Sequence, residues 1–230
     1  MDIFSDEHMY RDLFLQAILI LITIFMFLYM YNIPQKYLSN LRLRNRSNIQ
    51  SKKHFVQGAQ LLSQAKSAAS AKQHSASAQS SSSLAKLAEE QADLAISLDS
   101  SDAASYILKA LALDMQGMKT SALDSIDVAL SPPAVKSLSE DERAEAFFKR
   151  AQLRSTAPGG VSRRVDSVIE DLNECVRLKG DNVKAYCLLG DCYEKKGMKI
   201  EAKLAYLDAL RVQPDFGPAT EAIDRLNSES

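Results

Sequence analysis

One stretch, Asn182–Phe216, constrains the fold more than any other. Counting from Tyr186, Leu189 and Gly190 follow at three and four residues and Tyr193 at seven. Ala202, Tyr206 and Ala209 come at sixteen, twenty and twenty-three, and Pro214 at twenty-eight. The spacings of three, four and seven put Tyr186, Leu189, Gly190 and Tyr193 on one face of a helix. Ala202, Tyr206 and Ala209 repeat that pattern on a second helix. Gly197 between them supplies the positive φ of a tight turn. Gly190 and Ala202 are small where the two helices must cross closely. Pro214 ends the second helix, because it has no amide to donate and cannot continue the helical path.

The same offsets recur upstream. Over 102–136, Tyr106, Ala110 and Leu113 mark a first helix, Gly117 a turn, and Ala122, Ile126 and Ala129 a second helix. Over 140–181, Phe147 and Ala151 open a unit that Val168, Leu172 and Cys175 complete, with a surplus of five residues that falls in the Pro/Gly-rich TAPGGVS. Loop length is thermodynamically cheap, so both helices survive the insertion. Arg150 and Arg154 replace apolar positions and make this unit the least typical. Phe55, Ala59, Leu62, Ala65 and Ala69 form a helical stripe, and Ala88, Ala92 and Ala95 have second-helix spacing. Residues 54–101 therefore read as Ala/Ser-rich helices, a degenerate first repeat. The Ser-rich stretch 63–83 is open to three readings: a small-faced helix, a spacer or a phosphorylated segment. A helix ending near His74 and then a loose turn is the preferred one. Residues 217–230 form a polar-faced capping helix on Ala219, Ala222, Ile223 and Leu226.

This pattern resembles the tetratricopeptide repeat (TPR), strongest over 183–216. The resemblance implies an all-α fold, a short TPR-type α-solenoid whose concave face is lined by the first helix of each pair. It implies no catalysis and no cofactor, but a protein partner, peptide or helix, held in the groove. In this register the groove candidates are Ile107, Leu111, Phe148, Lys149, Gln152, Lys184, Cys187 and Asp191. Some of them can equally pack against neighbouring helices. One family subclass grips acidic chaperone tails with a carboxylate clamp. Its slots here hold Ile107, Leu111, Lys149, Lys184 and Leu188, and only Lys184 matches. Leucines cannot supply bidentate donors, so a chaperone C-terminal tail is not the expected partner.

Ahead of the repeats, residues 13–31 form an uncharged run of 19, with Pro34 as its stop just beyond. At about 1.5 Å per residue the run would reach roughly 28 Å, which predicts a transmembrane signal-anchor helix. It follows a short acidic tail (1–12) that lacks the basic n-region of a cleaved signal peptide. The segment 32–53 is basic and juxtamembrane, with Lys36, Arg42, Arg44, Arg46, Lys52 and Lys53. The positive-inside rule then predicts a single-pass membrane protein with a cytosolic repeat domain, in the endoplasmic reticulum or, alternatively, the mitochondrial outer membrane.

Charge and cysteine content narrow the function classes. Residues 89–230 hold 25 acids against 18 basic residues, which argues against a nucleic-acid partner. Three cysteines, an odd number, argue against a disulfide framework. His8, His54 and His74 lie outside the clear repeats and have no cysteine or carboxylate at ligand spacing, so no metal site is predicted. The expected role is a membrane-anchored, cytosol-facing scaffold or adaptor for protein–protein interaction. The alternatives are an organelle-surface receptor or co-chaperone for client or precursor proteins, and a subunit of a membrane complex.

Overall fold

The computed structural model describes residues 3–30, 33–70, 75–156 and 165–228, with side chains described at 11, 13–27, 29, 47–70, 80–156 and 165–228. The helices are α1 (Ile3–Met30), α2 (Ile33–Ser70), α3 (Ser75–Leu98), α4 (Ala103–Met115), α5 (Lys119–Ala129), α6 (Glu140–Thr156), α7 (Val165–Leu178), α8 (Val183–Lys195), α9 (Lys199–Val212) and α10 (Gly217–Ser228). A short 3-10 turn, Ala134–Ser137, links α5 to α6. No strand occurs among the described residues. The core of the surplus loop, 157–164, lies outside them, as do residues 71–74. The loose Ser-rich turn expected after His74 is corrected, because α3 is already helical from Ser75.

Local chemistry explains where the helices begin and turn. Asn182 caps α8, its side chain accepting from the Ala185 amide at 3.0 Å. At α6 the cap is reciprocal. The Ser139 amide donates to Glu142 at 2.8 Å, and the Glu142 amide donates to the Ser139 hydroxyl at 3.3 Å. This bonding, from the backbone first and then the hydroxyl of Ser139, holds the Glu142 carboxyl below its ordinary range. Gly117 and Gly197 adopt φ of +81° and +74° between α4 and α5 and between α8 and α9, where a side chain would be strained.

The chain divides into two compact units, Met1–Ile49 and Gln50–Ser230. In the first, α1 contains Asp6, Glu7, Arg11 and Asp12 before its apolar part. The predicted transmembrane helix over 13–31 is corrected here: among the described residues no helix is long and apolar enough to cross a membrane. Those four charged residues occupy the first part of α1, and Gln16 and Thr23 interrupt its apolar side chains. Tyr31 lies outside the described residues, as do the side chains of Lys36, Arg42, Arg44 and Arg46. The single-pass topology, the cytosolic placement and both organelle assignments rested on that span and fall with it. Pro34 sits in the first turn of α2, where a missing amide costs no helical bond.

The second unit stacks antiparallel helix pairs. Ser51 Oγ donates to the Ala95 carbonyl at 3.0 Å and Ser81 Oγ to the Ala65 carbonyl at 2.9 Å, joining α2 to α3 at both ends. Both serines are buried, so Ser81, inside the Ser-rich stretch, is a structural residue. The next pairs are α4 with α5, α6 with α7 and α8 with α9, and α10 packs on α9. Small residues carry the crossings. Ala88, Ala110, Ala122, Ala151, Ala202 and Ala209 are all completely buried. Gly190 is the closest contact: a Cβ there would meet Tyr206 Cε1 at 2.5 Å.

The two arginines that break the apolar pattern of α6 have a common partner. Arg150 Nε and Nη2 and Arg154 Nη1 all donate to Asp171 on α7, which is 2% exposed. Arg150 Nη1 also reaches Asp127 on α5 at 2.9 Å. Burial lowers the Arg150 pKa, but its hydrogen bonds and charge pairing with Asp171 and Asp127 outweigh that and raise it. Four charges therefore fasten α5, α6 and α7 together.

This packing makes stability testable at two places. Gly190→Ala drives a methyl into the fixed ring of Tyr206 and is expected to cost about 1–3 kcal/mol in a chemical melt. Gly180→Ala, whose nearest contact would be 3.7 Å away, is expected to change stability by less than about 1 kcal/mol. Asp171→Ala strands two arginines and is expected to cost about 3 kcal/mol, the low end for a buried pair because both arginines keep some contact with water. An unchanged denaturation midpoint would disprove the network's role.

Candidate functional site

The first helices of the pairs, α2, α4, α6 and α8, line one side of the second unit, where two clefts meet. The larger, about 810 Å³, runs from Phe55 and Leu62 on α2 past Ile107 and Leu111 on α4 to Phe148 on α6. The smaller, about 500 Å³, lies between α6 and α8, with Leu188, Asp191 and Phe216 on its wall. Phe148, Lys149, Gln152 and Lys184 border both clefts, so the two form one continuous trough.

The eight sequence candidates fall along this trough. Ile107 and Leu111 line the larger cleft, Cys187 and Asp191 the smaller, and the other four form the junction. Lys184 and Asp191 are exposed, and the remaining six are half-buried. Several also pack inward: Leu111 against the α2–α3–α4 core, Phe148 against the α6–α7–α8 core and Cys187 against the Tyr206 cluster. Each presents one edge to the core and one to the trough.

Charge is distributed unevenly here. Lys149 Nζ is held by Asp114 on α4 at 2.7 Å, with about a quarter of each side chain exposed. Of the five clamp slots, Ile107, Leu111 and Leu188 are apolar and Lys149 is already paired, which leaves Lys184. Asp191 Oδ1 accepts from the Tyr206 hydroxyl at 2.7 Å. Tyr206 also lies 2.7 Å from Glu194, which Arg225 neutralises at 2.8 Å. Burial, then the charge of Asp191, pushes the Cys187 thiol up to about 11. The three cysteines are free.

Phe55, Leu62, Asp114 and Phe216 are among the lining groups that escaped the sequence reading. Phe55 and Leu62 belong to a helix that was recognised but not assigned to the inner face. Asp114 follows Ile107 and Leu111 at helical spacing, a signal that was available. Phe216 reaches the smaller cleft from the turn before α10, where periodicity gives no orientation.

A family model described as a tetratricopeptide repeat matches residues 183–216. Among solved structures, MamA is 22% identical over 68% of this chain and 78% of its own, with a TM-score of 0.50. PilF of Pseudomonas aeruginosa is 14% identical over 81% of this chain and 70% of its own, with a TM-score of 0.58. A chain of the APC/C hetero-tetramer Cut9–Hcn1 is 16% identical over 83% of this chain and 41% of its own, with a TM-score of 0.53. At such identities the likeness is one of fold. No curated protein matches the chain.

The thiols predict an alkaline weakness. Burial is the largest cause at all three, pushing Cys175 and Cys187 up to about 11 and raising Cys192. Burial, then the bonds to Glu194 and Asp191, also raises the Tyr206 phenol. Above about pH 9 the unfolded chain releases protons that the folded chain keeps, so stability falls as pH rises. It is complete below the unfolded value and is lost progressively towards pH 11. The melting temperature is expected to drop several degrees between about pH 8 and pH 10.5. A variant with alanine at the three cysteines should show a shallower decline, and an identical slope would rule the thiols out.

Proposed function

We propose, from the premise that this chain is a tetratricopeptide repeat protein, that its trough binds a peptide segment or helix of a protein partner. The chain then acts as an interaction scaffold. Residues 102–136, 140–181 and 183–216 are the repeats of this reading, 54–101 a degenerate first repeat and 217–230 the cap. The observation that carries it is the junction of Phe148, Lys149, Gln152 and Lys184, which joins two clefts into one path across α2, α4, α6 and α8. An apolar floor with a few placed polar groups suits an extended or helical segment with one apolar anchor.

Among the finer roles, recruitment of clients or precursors and membership of a standing complex both use such a trough. A grip on a chaperone tail is disfavoured, because Lys149 is occupied by Asp114 and two further slots are leucines. The reading assigns no reaction to the chain.

Proximity labelling in cells, with the wild type beside Phe148→Ala and Ile200→Ala, tests it. Removing an aromatic anchor at the centre of an interface typically costs about 2 kcal/mol or more. Trough partners should therefore fall well over tenfold in the Phe148 variant. They should persist in the Ile200 variant, whose side chain lies on the exposed face of α9. A Phe148 variant that melts like the wild type and keeps every partner would remove the trough assignment.

A further inference from the structure

The smaller cleft contains a carboxylate whose charge the fold does not neutralise. Tyr206 Oη lies 2.7 Å from both Asp191 Oδ1 and Glu194 Oε1. A phenol has one proton, so it donates to one carboxylate at a time. Glu194 has a cation of its own, with Arg225 Nη2 at 2.8 and 3.0 Å from its two oxygens. Asp191 has no cation partner among the described residues, and it is exposed on the trough wall. Its charge is felt inside the cleft, where, after burial, it opposes the ionisation of Cys187 one turn away.

Lys184 stands seven residues before Asp191 on the same face of α8. At about 1.5 Å per residue the two are separated by roughly 10 Å along the helix. Lys184 is exposed and makes no ion pair among the described residues. Leu188 lies between them, and Phe148 lines the same cleft from α6. The wall of α8 is therefore a dipole, positive at one end and negative at the other, with an apolar middle.

We propose that the trough takes a partner segment with a basic side chain at Asp191 and an acidic side chain at Lys184. The two lie roughly 10 Å apart on either side of an apolar residue that covers Leu188 and Phe148. The proposal rests on the trough reading above and adds the charge pattern of the occupant. That pattern also fixes direction: a segment laid in reverse places like charges together at both ends, which selects against it. In a helical occupant the two charges stand about seven residues apart.

Selection of random peptides of about 15 residues, displayed on phage, against the whole chain tests the proposal, with the length set to span about 20 Å as a helix. Enriched peptides are expected to pair one acidic and one basic residue at that spacing around an apolar one. Their affinity should fall about tenfold or more in Asp191→Asn and in Lys184→Gln, each of which removes one charge. The amide introduced by Asp191→Asn keeps an oxygen to accept from Tyr206, so the fold is retained, and equal melting temperatures verify this. Peptides that lose affinity for Phe148→Ala but bind both charge variants unchanged would overturn the charge pattern and leave the trough standing. Peptides indifferent to Phe148→Ala, or no enrichment at all, would overturn both.

Discussion

The structure depends on how closely two antiparallel helices can approach. At Gly190 the backbone of α8 lies against the ring of Tyr206 on α9, leaving no room for a methyl group. Completely buried alanines take the corresponding role at the other crossings, Ala110 with Ala122 and Ala151 beside Val168. Successive pairs then stack through the second helix of one and the first helix of the next, α3 on α4, α5 on α6 and α7 on α8, which leaves the other face of the first helices open. Those helices come to share one side of the unit, and the trough is the space left between them. Its position is a consequence of backbone packing, and its chemistry belongs to the few side chains that packing leaves facing outward.

This division explains what was legible in the sequence. The spacing from Tyr186 to Pro214 reports helix crossings, so it located α8, α9 and their turn at Gly197. The same offsets located α4, α5 and the two halves of the middle pair. Candidate residues such as Phe148 and Asp191 could then be placed on the first-helix face. The trough contribution of α2 was not legible, because no glycine marks a turn between α2 and α3, so nothing in the sequence sets the register of Phe55 and Leu62. Arg150 and Arg154 were read as departures from the pattern for a physical reason. Periodicity classes a charged residue as solvent-facing and cannot see that Asp171, on another helix, lies buried between them.

The apolar run shows a different limit of sequence reading. Hydropathy records that residues 13–31 lack charge, while a span also requires a continuous helix of sufficient apolar length. Among the described residues α1 does not meet that requirement. The basic residues after it were given a topological meaning only through the span. Without it they remain basic residues of α2, with no orientation attached.

Asp191 shows how the trough and the core are coupled. Its carboxylate accepts from a phenol that is itself wedged over Gly190, so a groove side chain and the tightest helix crossing share one hydrogen bond. A charge placed against Asp191 draws on an oxygen already oriented by the core, which reduces the ordering cost of binding. The converse also holds. Removing Tyr206 would free the Asp191 side chain to rotate, weakening recognition without altering any residue that lines the trough. In a solenoid whose units touch only their neighbours, such a link ties the chemistry of the trough wall to the packing of a single helix crossing.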